Sequence, residues 1–590
     1  MNIERKAILH IPTSQYAFAQ AEHKITIRLR AAKGNLEKCT LYWGDRAYPA
    51  SPVRFFPKEM QIRWTDAEYD FYEVTLEEIP ERLCYYFRLQ TGDEWSYYYA
   101  DLFTKELPDY VLEDGFVVEG RSEYYQYPYI LRTEILSIPE WFQNAVVYNI
   151  FPDSFASGKE TLAKKAGQIY GEDGKIYRAC LGGTLRGIMQ NLDYIQNLGF
   201  NCLYLNPIFA AGEYHKYDII DYMHIDPCFG SDEDFMQLTD EAHRRGMHVV
   251  IDGVFNHCSW ESPFFEDVIA KGRQSHYWNW FYNLPDKVVR PRGQEGPEYA
   301  CFAYEPKMPK LNTSNPEVQD YFAGVGRYWV EHFHVDGWRL DVANEIDKNF
   351  WRKFRTEVKA ANPEAVLIGE VWENASVWLR GDMLDSAMNY DFRKYCRDFF
   401  ARSVMGAKDF TDSMTDMLLR YPIQISYGQL NLLDSHDVAR FYSLCNEDQK
   451  KWRLAFVYLM MAPGVPSVFY GDEKLIPGMR EPEYRQAMPW SAEPDETLDF
   501  VKRIIQIRKQ YVNPSDEWHV LHASNESNLL VFERIGKNCV RICMNAGNEQ
   551  ADIASWECDG RMLLQSGKLG HMLEPKGYMV CLNTPADIPL

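Results

Sequence analysis

The rhythm of apolar and polar positions changes along the chain. Up to about residue 125, apolar residues alternate with polar ones in short runs: HKITIRLRA, KCTLYWGD, FYEVTLEEI and CYYFRLQ, the last joined by TGD to EWSYYYA. Period-two alternation broken by turn residues predicts a β-sandwich over 1–125. The tyrosine-rich stretch RSEYYQYPYI leads into a linker placed at 126–140. From about Trp141, short continuous apolar runs alternate with helical segments. AVVYNIF precedes LRGIMQNLDYIQNLG and CLYLNPIF, DEDFMQLTDEAHRRG precedes MHVVIDGVFNH, and QDYFAGVGRYWVEHF precedes VDGWRLDV. NFWRKFRTEVKAANP then precedes AVLIGEVW, and AMNYDF, LNLLDSHD and VPSVFYGDE complete the series. Eight strands, beginning near 146, 201, 247, 335, 365, 387, 430 and 465, predict an α/β fold, a (β/α)8 barrel spanning 141–511. The connection over 258–312, with its breaker-rich PRGQEGPE, is too long for a plain loop and reads as a subdomain inserted after the third strand. After residue 512, NLLVFER, CVRICMN and GYMVCLN predict a C-terminal β-sandwich over 512–590.

Barrels of this kind carry chemistry at the C-terminal ends of their strands. The third strand ends in IDGVFNH, offering Asp252, Asn256 and His257. The fourth, in GWRLDVANEID, carries Arg339 and Asp341 on one face, with Trp338 and Leu340 on the other. The fifth ends at Glu370 and the seventh at His436 and Asp437. Each of these residues taken alone is more often structural than catalytic. Together they place four carboxylates, two histidines and one arginine at one mouth. A trio of carboxylates could bind a divalent metal and stabilise an enolate, but Arg339 would compete with the cation for Asp341. The alternative is retaining glycoside hydrolysis, in which one carboxylate is a nucleophile and another a general acid, about 5 Å apart. In that reading Arg339 lowers the pKa of Asp341 and keeps it ionised.

These segments resemble the signature regions of glycoside hydrolase family 13, the α-amylase family. DGVFNH, GWRLDVANE, GEVW and LLDSHD match its four regions in order, and MPKLN (Met308 to Asn312) resembles the extra signature of the neopullulanase, cyclomaltodextrinase and maltogenic amylase subgroup. The resemblance implies that Asp341 is the nucleophile, Glu370 the acid/base, and Asp437 the group that binds sugar hydroxyls and favours ring distortion. It implies that Arg339 orients Asp341, that His257 and His436 hydrogen-bond the sugar in the cleaved subsite, and that Tyr217 in HKYD stacks beneath that sugar; a core role is the other reading of Tyr217. Asn344, Glu345 and Trp372 resemble residues on the leaving-group side. Arg485, in EPEYRQAMPW, resembles an arginine that binds the next sugar on the opposite side, with Glu481 where an aspartate is usual. Asp252 is expected to support the site. The subgroup further implies hydrolysis of α-1,4 bonds in cyclodextrins, maltooligosaccharides, and pullulan or starch, by a homodimer whose N-terminal domain caps the neighbouring cleft. An α-glucosidase or glucan-transferring enzyme of the same family, and a non-catalytic glycan-binding barrel, are the competing readings.

The departures carry information too. Relatives that hold calcium near the first strand use a FANGD-like loop and a GGD-like turn; here these read FASGK (Phe155 to Lys159) and GGT (Gly182 to Thr184). Calcium needs six to eight oxygen ligands, several of them anionic. Ser157, Lys159 and Thr184 therefore predict that this site is lost and that no cofactor is needed. AGEYHKYD, in place of the usual SxSxHKYD, and Glu373 and Asn374 after GEVW, alter the cleft lining.

Composition narrows the partners. With 63 basic and 85 acidic residues the net charge is -22, a field that repels nucleic acid and anionic lipid. Aromatic residues make up 15% of the chain, suited to cores and to sugar faces alike. No apolar run reaches the roughly 18 residues of a membrane span. The start MNIERKAILHIP lacks the apolar segment of a signal peptide, and the 13 cysteines include no CxxC pair. Free thiols in a reducing cytoplasm are the expectation.

Overall fold

The computed structural model describes residues 2–47, 54–107, 124–158, 169–170, 176–177, 181–291, 296–491 and 495–583. Two compact units emerge: Met1–Ser137 with Lys408–Ser426, and Ile138–Ala407 with Tyr427–Leu590.

In the first unit, antiparallel strands run in the order Ala17–Ala21, Lys24–Ala32, Tyr69–Glu77, Phe56–Thr65, Lys38–Asp45, Leu83–Thr91, Glu94–Tyr99 and Leu102–Thr104. Phe56–Thr65 pairs with Tyr69–Glu77 on one side and Lys38–Asp45 on the other, so one strand serves both layers. Most of its residues are exposed, so it lacks the alternation that marks the other strands in the sequence. The alternating apolar positions of those strands, Ile25, Ile27 and Leu29 against Leu41, Tyr85 and Phe87, form the buried core. Part of the tyrosine stretch expected as a linker is instead a strand. Tyr125–Tyr127 pairs with Leu83–Tyr85, and burial of Tyr125 and Tyr127 in the core holds it there.

The second unit contains the closed barrel. Its parallel strands are β1 (Val147–Ile150), β2 (Cys202–Leu205), β3 (His248–Gly253), β4 (Gly337–Leu340), β5 (Val366–Gly369), β6 (Ser386–Asn389), β7 (Leu430–Leu432) and β8 (Val465–Phe469). β1 pairs with both β2 and β8, which closes the ring. β1, β2, β4, β5 and β8 are buried at every position, as expected for strands covered on both faces. Three of the longer intervening helices begin at side-chain caps. Asp232–Arg244 has a capping box of Ser231 and Asp234, Pro316–Phe333 is capped by Asn315, and Lys348–Ala361 by Asp347. The latter two pack closely at Gly326, where any Cβ would collide with the Phe354 ring. A six-stranded antiparallel sheet, from Glu517–Ala523 to Met572–Asn583, ends the chain. Most of the described cysteines are buried.

Asp336, just before β4, accepts from His243 Nε2 at 2.8 Å and His248 Nδ1 at 2.9 Å. This pairing raises the His243 pKa, and burial only partly opposes it. A histidine whose pKa rises on folding stabilises the native state below its unfolded pKa, near 6.5, and the contribution vanishes as pH climbs through the raised value. His243→Gln is therefore expected to lower the urea midpoint at pH 6 and to leave it unchanged at pH 9. An equal loss at both values would contradict the pairing.

Candidate active site

Arg339 sits at the centre of the barrel mouth with no exposed surface. It projects from β4 directly opposite Asp252 on β3. Its Nη1 lies 2.9 Å from Asp252 Oδ1 and 2.8 Å from Asp341 Oδ1, while Nη2 lies 3.0 Å from Glu370 Oε2 and 3.7 Å from Asp437 Oδ2. One guanidinium thus gathers carboxylates from the ends of β3, β4, β5 and β7. Trp338, on the opposite face of β4, packs against Phe209, Phe255 and Phe354. The strand's alternation delivers both the apolar and the ionic contact.

Arg339 does lower the Asp341 pKa, but the expectation that it thereby keeps the carboxyl ionised needs correction. Burial raises that pKa, the neighbouring Glu370 charge raises it further, and the pull of Arg339 only partly offsets them, so the carboxyl sits well above the usual range. The physical reason is stoichiometric: a single positive charge is shared among four acids. Asp437 shows the opposite balance. Burial pushes it up, but His436 beside it, with Arg339 and Arg485, more than reverses this and leaves it well below the usual range. His436 Nε2 lies 2.9 Å from Asp437 Oδ2.

Each oxygen of Glu370 is held. Oε1 accepts from the Trp372 indole at 2.9 Å, and Oε2 from the Val342 amide at 2.9 Å. Val342 reaches Glu370 from a left-handed conformation, φ 45° and ψ 44°. For a β-branched residue this costs on the order of 1–3 kcal/mol, and such strain concentrates where a turn must aim a group. Trp372 is half exposed and lies flat on Tyr390, ring centroids 3.7 Å apart.

The remaining expected residues fall into two groups. Tyr217 donates to Asp252 Oδ2 at 3.0 Å and stacks on His436 at 5.4 Å, which brings it into the site. His257 is buried and neutral, its pKa lowered to about 3 by burial. Its Nε2 is spent on the Tyr217 carbonyl at 3.1 Å, and its ring stacks on Phe302. Asn344 Nδ2 donates to Glu373 Oε1 at 3.0 Å, and Glu345 pairs with Lys310 of MPKLN at 2.9 Å. Lys310 also bonds Asn256 Oδ1, and Leu311 donates its amide to the Asn256 carbonyl, so the inserted subdomain is stitched to the end of β3. Arg485 contacts Asp437 Oδ1 at 3.4 Å and Glu481 Oε1 at 2.9 Å.

Sequence reasoning missed a layer beneath these groups. Tyr204 on β2 donates to Asp252 Oδ2 at 2.8 Å. Asn206, at the end of the same run, donates to Tyr204 Oη and His436 Nδ1 and accepts from Asn149 of β1. A polar residue closing the apolar run CLYL was the available signal. In the turn where the resemblance predicts loss of a calcium site, Thr184 caps the helix Leu185–Gln190 through Gly187 N and also donates to the Ser157 carbonyl. Asp153 accepts from the amides of Leu181 and Gly182. Lys159 lies outside the described residues, as does RGQE, 292–295, in the inserted segment.

An Arg–Asp pair on one strand, ringed by acids from three others at a barrel mouth, is the arrangement on which the comparisons with known proteins bear. Residues 149–506 match the family model described as alpha amylase, catalytic domain. The chain belongs to the α-amylase family. Residues 1–119 match the model for its N-terminal ig-like domain. A cyclomaltodextrinase of Geobacillus thermopakistaniensis is 36% identical over 93% of this chain and 92% of its own length. Neopullulanase 2 of Thermoactinomyces vulgaris is 38% identical over 90% of this chain and 88% of its own. A solved structure of a cyclomaltodextrinase superposes with a TM-score of 0.86 at 30% identity, covering 98% of each chain. The protein is therefore a glycosidase of this family. Among the described residues no helix is long and apolar enough to cross a membrane.

Proposed function

We propose that the enzyme hydrolyses α-1,4 bonds of short maltooligosaccharides and cyclodextrins, and of pullulan, with retention of anomeric configuration. The observation that carries this reading is the single guanidinium spanning Asp341 and Glu370 on its two terminal nitrogens. Two carboxyls so bridged can flank one glycosidic bond at the separation of about 5 Å that a double displacement needs. The mechanism requires the proton on Glu370, which removes the charge that raises the Asp341 pKa. Glu370 then protonates the leaving oxygen while the ionised Asp341 attacks the anomeric carbon to form a β-glycosyl ester. Glu370, now ionised, takes a proton from water, which attacks the same carbon and releases Asp341. Asp437, held ionised, binds sugar hydroxyls and favours the distorted ring.

Hydrolysis rates on β-cyclodextrin, pullulan and soluble starch, with the anomer of the first product followed by proton NMR, test this reading. Initial release of the β-anomer would overturn retention. No turnover of any of the three would overturn the substrate class.

Thr184 occupies the former ligand position as a helix cap, which supports the proposal that calcium is not bound there; stoichiometric calcium in the purified protein, removed with loss of stability, would refute it. A cytoplasmic homodimer is proposed from the resemblance to the subgroup, and sedimentation velocity checks its assembly state.

A further inference from the structure

His436 and Asp437 stand on a segment that leaves β7 at Leu432 and turns into the short helix Phe441–Leu444. A side chain closes the base of this segment: Asp434 Oδ2 accepts from the Phe441 amide at 2.6 Å. Its other oxygen, Oδ1, is buried and meets no donor among the described residues. The neighbour of this carboxyl is a second acid, Asp472 after β8, in hydrogen-bonding contact with it. Ionised carboxylates only accept, so such a contact needs a proton between them. Arg440, with no exposed surface, donates through Nη1 to Asp472 Oδ1 at 3.0 Å, while its Nη2 is buried without a partner. The guanidinium therefore bonds one of the two acids and leaves the other to its neighbour. Arg440 itself is firmly placed. Its Nη1 also donates to the Tyr470 carbonyl at 2.7 Å, its Nε to the Tyr484 carbonyl at 3.0 Å, and its amide to the Gly478 carbonyl at 2.9 Å. Glu473, Arg393 on the helix Tyr390–Cys396, and Cys445 complete the titratable and charged groups around the pair. Burial and the Asp434 charge raise the Asp472 pKa well above the usual range against the pull of Arg440, which puts the proton on Asp472.

Resting on the α-1,4-hydrolase reading above for its catalytic consequence, we propose that Asp434 and Asp472 are positioning residues, a carboxyl pair sharing one proton that clamps the segment bearing His436 and Asp437 onto the Arg440 anchor. With one proton the pair satisfies the Phe441 amide and Arg440 together and sets a single negative charge against a single guanidinium. Without it, two carboxylates would stand in contact in a buried site and push the ends of β7 and β8 apart. The clamp matters because Asp437 reaches Arg339 at 3.7 Å and Arg485 at 3.4 Å, contacts whose lengths follow from where its segment lies. A displacement of about 1 Å at such a group costs about a hundredfold in rate.

Two measurements test the clamp, one of rate and one of folding. Asp434→Ala takes the acceptor from the Phe441 amide, and kcat on α-maltosyl fluoride should fall about a hundredfold with KM little changed. In an Asp437→Asn background the same substitution should cost no more than about threefold, because the group it positions is already lost. A merely structural residue would cost the same in both backgrounds. Asp472→Asn copies the protonated acid, since its amide donates to Asp434 and its oxygen accepts from Arg440, and its kcat should stay within about tenfold of wild type. The folding measurement needs no substrate. Native wild type holds a proton on Asp472 that the unfolded chain releases above about pH 3.9, so this group's contribution to stability falls as pH rises from there to the raised value. The urea midpoint of Asp472→Asn relative to wild type should therefore climb between pH 5 and pH 7. A flat or falling difference overturns the shared proton, and so the proposal. Equal cost of Asp434→Ala in both backgrounds, or a loss beyond tenfold in Asp472→Asn, overturns the positioning role. Should Asp434→Ala not fold, the rate and midpoints of Asp472→Asn decide. Absence of any hydrolysis by wild type overturns the hydrolase reading, and the midpoints still judge the acid pair.

Discussion

Asp341→Asn is expected to reduce hydrolysis by about four orders of magnitude or more, in the range that removal of a covalent nucleophile produces. The amide keeps the shape of the carboxyl and can still accept from Arg339, but it cannot form the glycosyl ester. Stability should hold or rise. Asp341 is one of four acids around a single guanidinium, and burial with the Glu370 charge disfavours its ionised form. A neutral group at this position relieves that repulsion. Steady-state rates on maltotriose and a thermal melt, run side by side, check the two halves. Turnover within tenfold of wild type would remove Asp341 from the mechanism, and a large fall in Tm would show that the charge holds the fold.

Arg339→Lys should damage both properties. Lysine keeps the charge but presents it at one point, whereas Arg339 meets Asp252 and Asp341 through one terminal nitrogen of a planar fork and Glu370 through the other. At a site with no exposure, leaving acids without their cation costs about 3–5 kcal/mol. Part of that cost is avoided if the acids take up protons, and an Asp341 so protonated cannot attack. We therefore expect kcat to fall by roughly a thousandfold, about 4 kcal/mol in the barrier, together with a lower urea midpoint. Retention of wild-type kcat would show that the fork neither orients nor polarises the acids.

Much of the barrel and of its mouth is legible in the order of residues. Strand–helix alternation locates all eight barrel strands because a parallel barrel strand is covered on both faces and so reads as an unbroken apolar run. GWRLDV is legible for a related reason: an arginine and an aspartate two apart must share a face, and burial demands that both be used. The exposed strand Phe56–Thr65 is not legible, because a strand with little buried surface leaves no periodic trace. Nor is the strand Tyr125–Tyr127, whose tyrosines are buried by partners distant in sequence.

Which charged groups stand near the strand ends can be read from the order of residues, since strand ends and side-chain faces follow from period and length. How those groups divide their charge and their hydrogen bonds depends on the folded arrangement. Arg339 could be read as a partner of Asp341, but its service to four acids at once depends on four strand ends converging. The bonds from Arg485 to Tyr214 and Glu481 depend on a loop after β2 meeting a turn after β8. Coulomb energy and hydrogen-bond capacity are set by distances in space, and residues far apart in the chain carry no local pattern that encodes them.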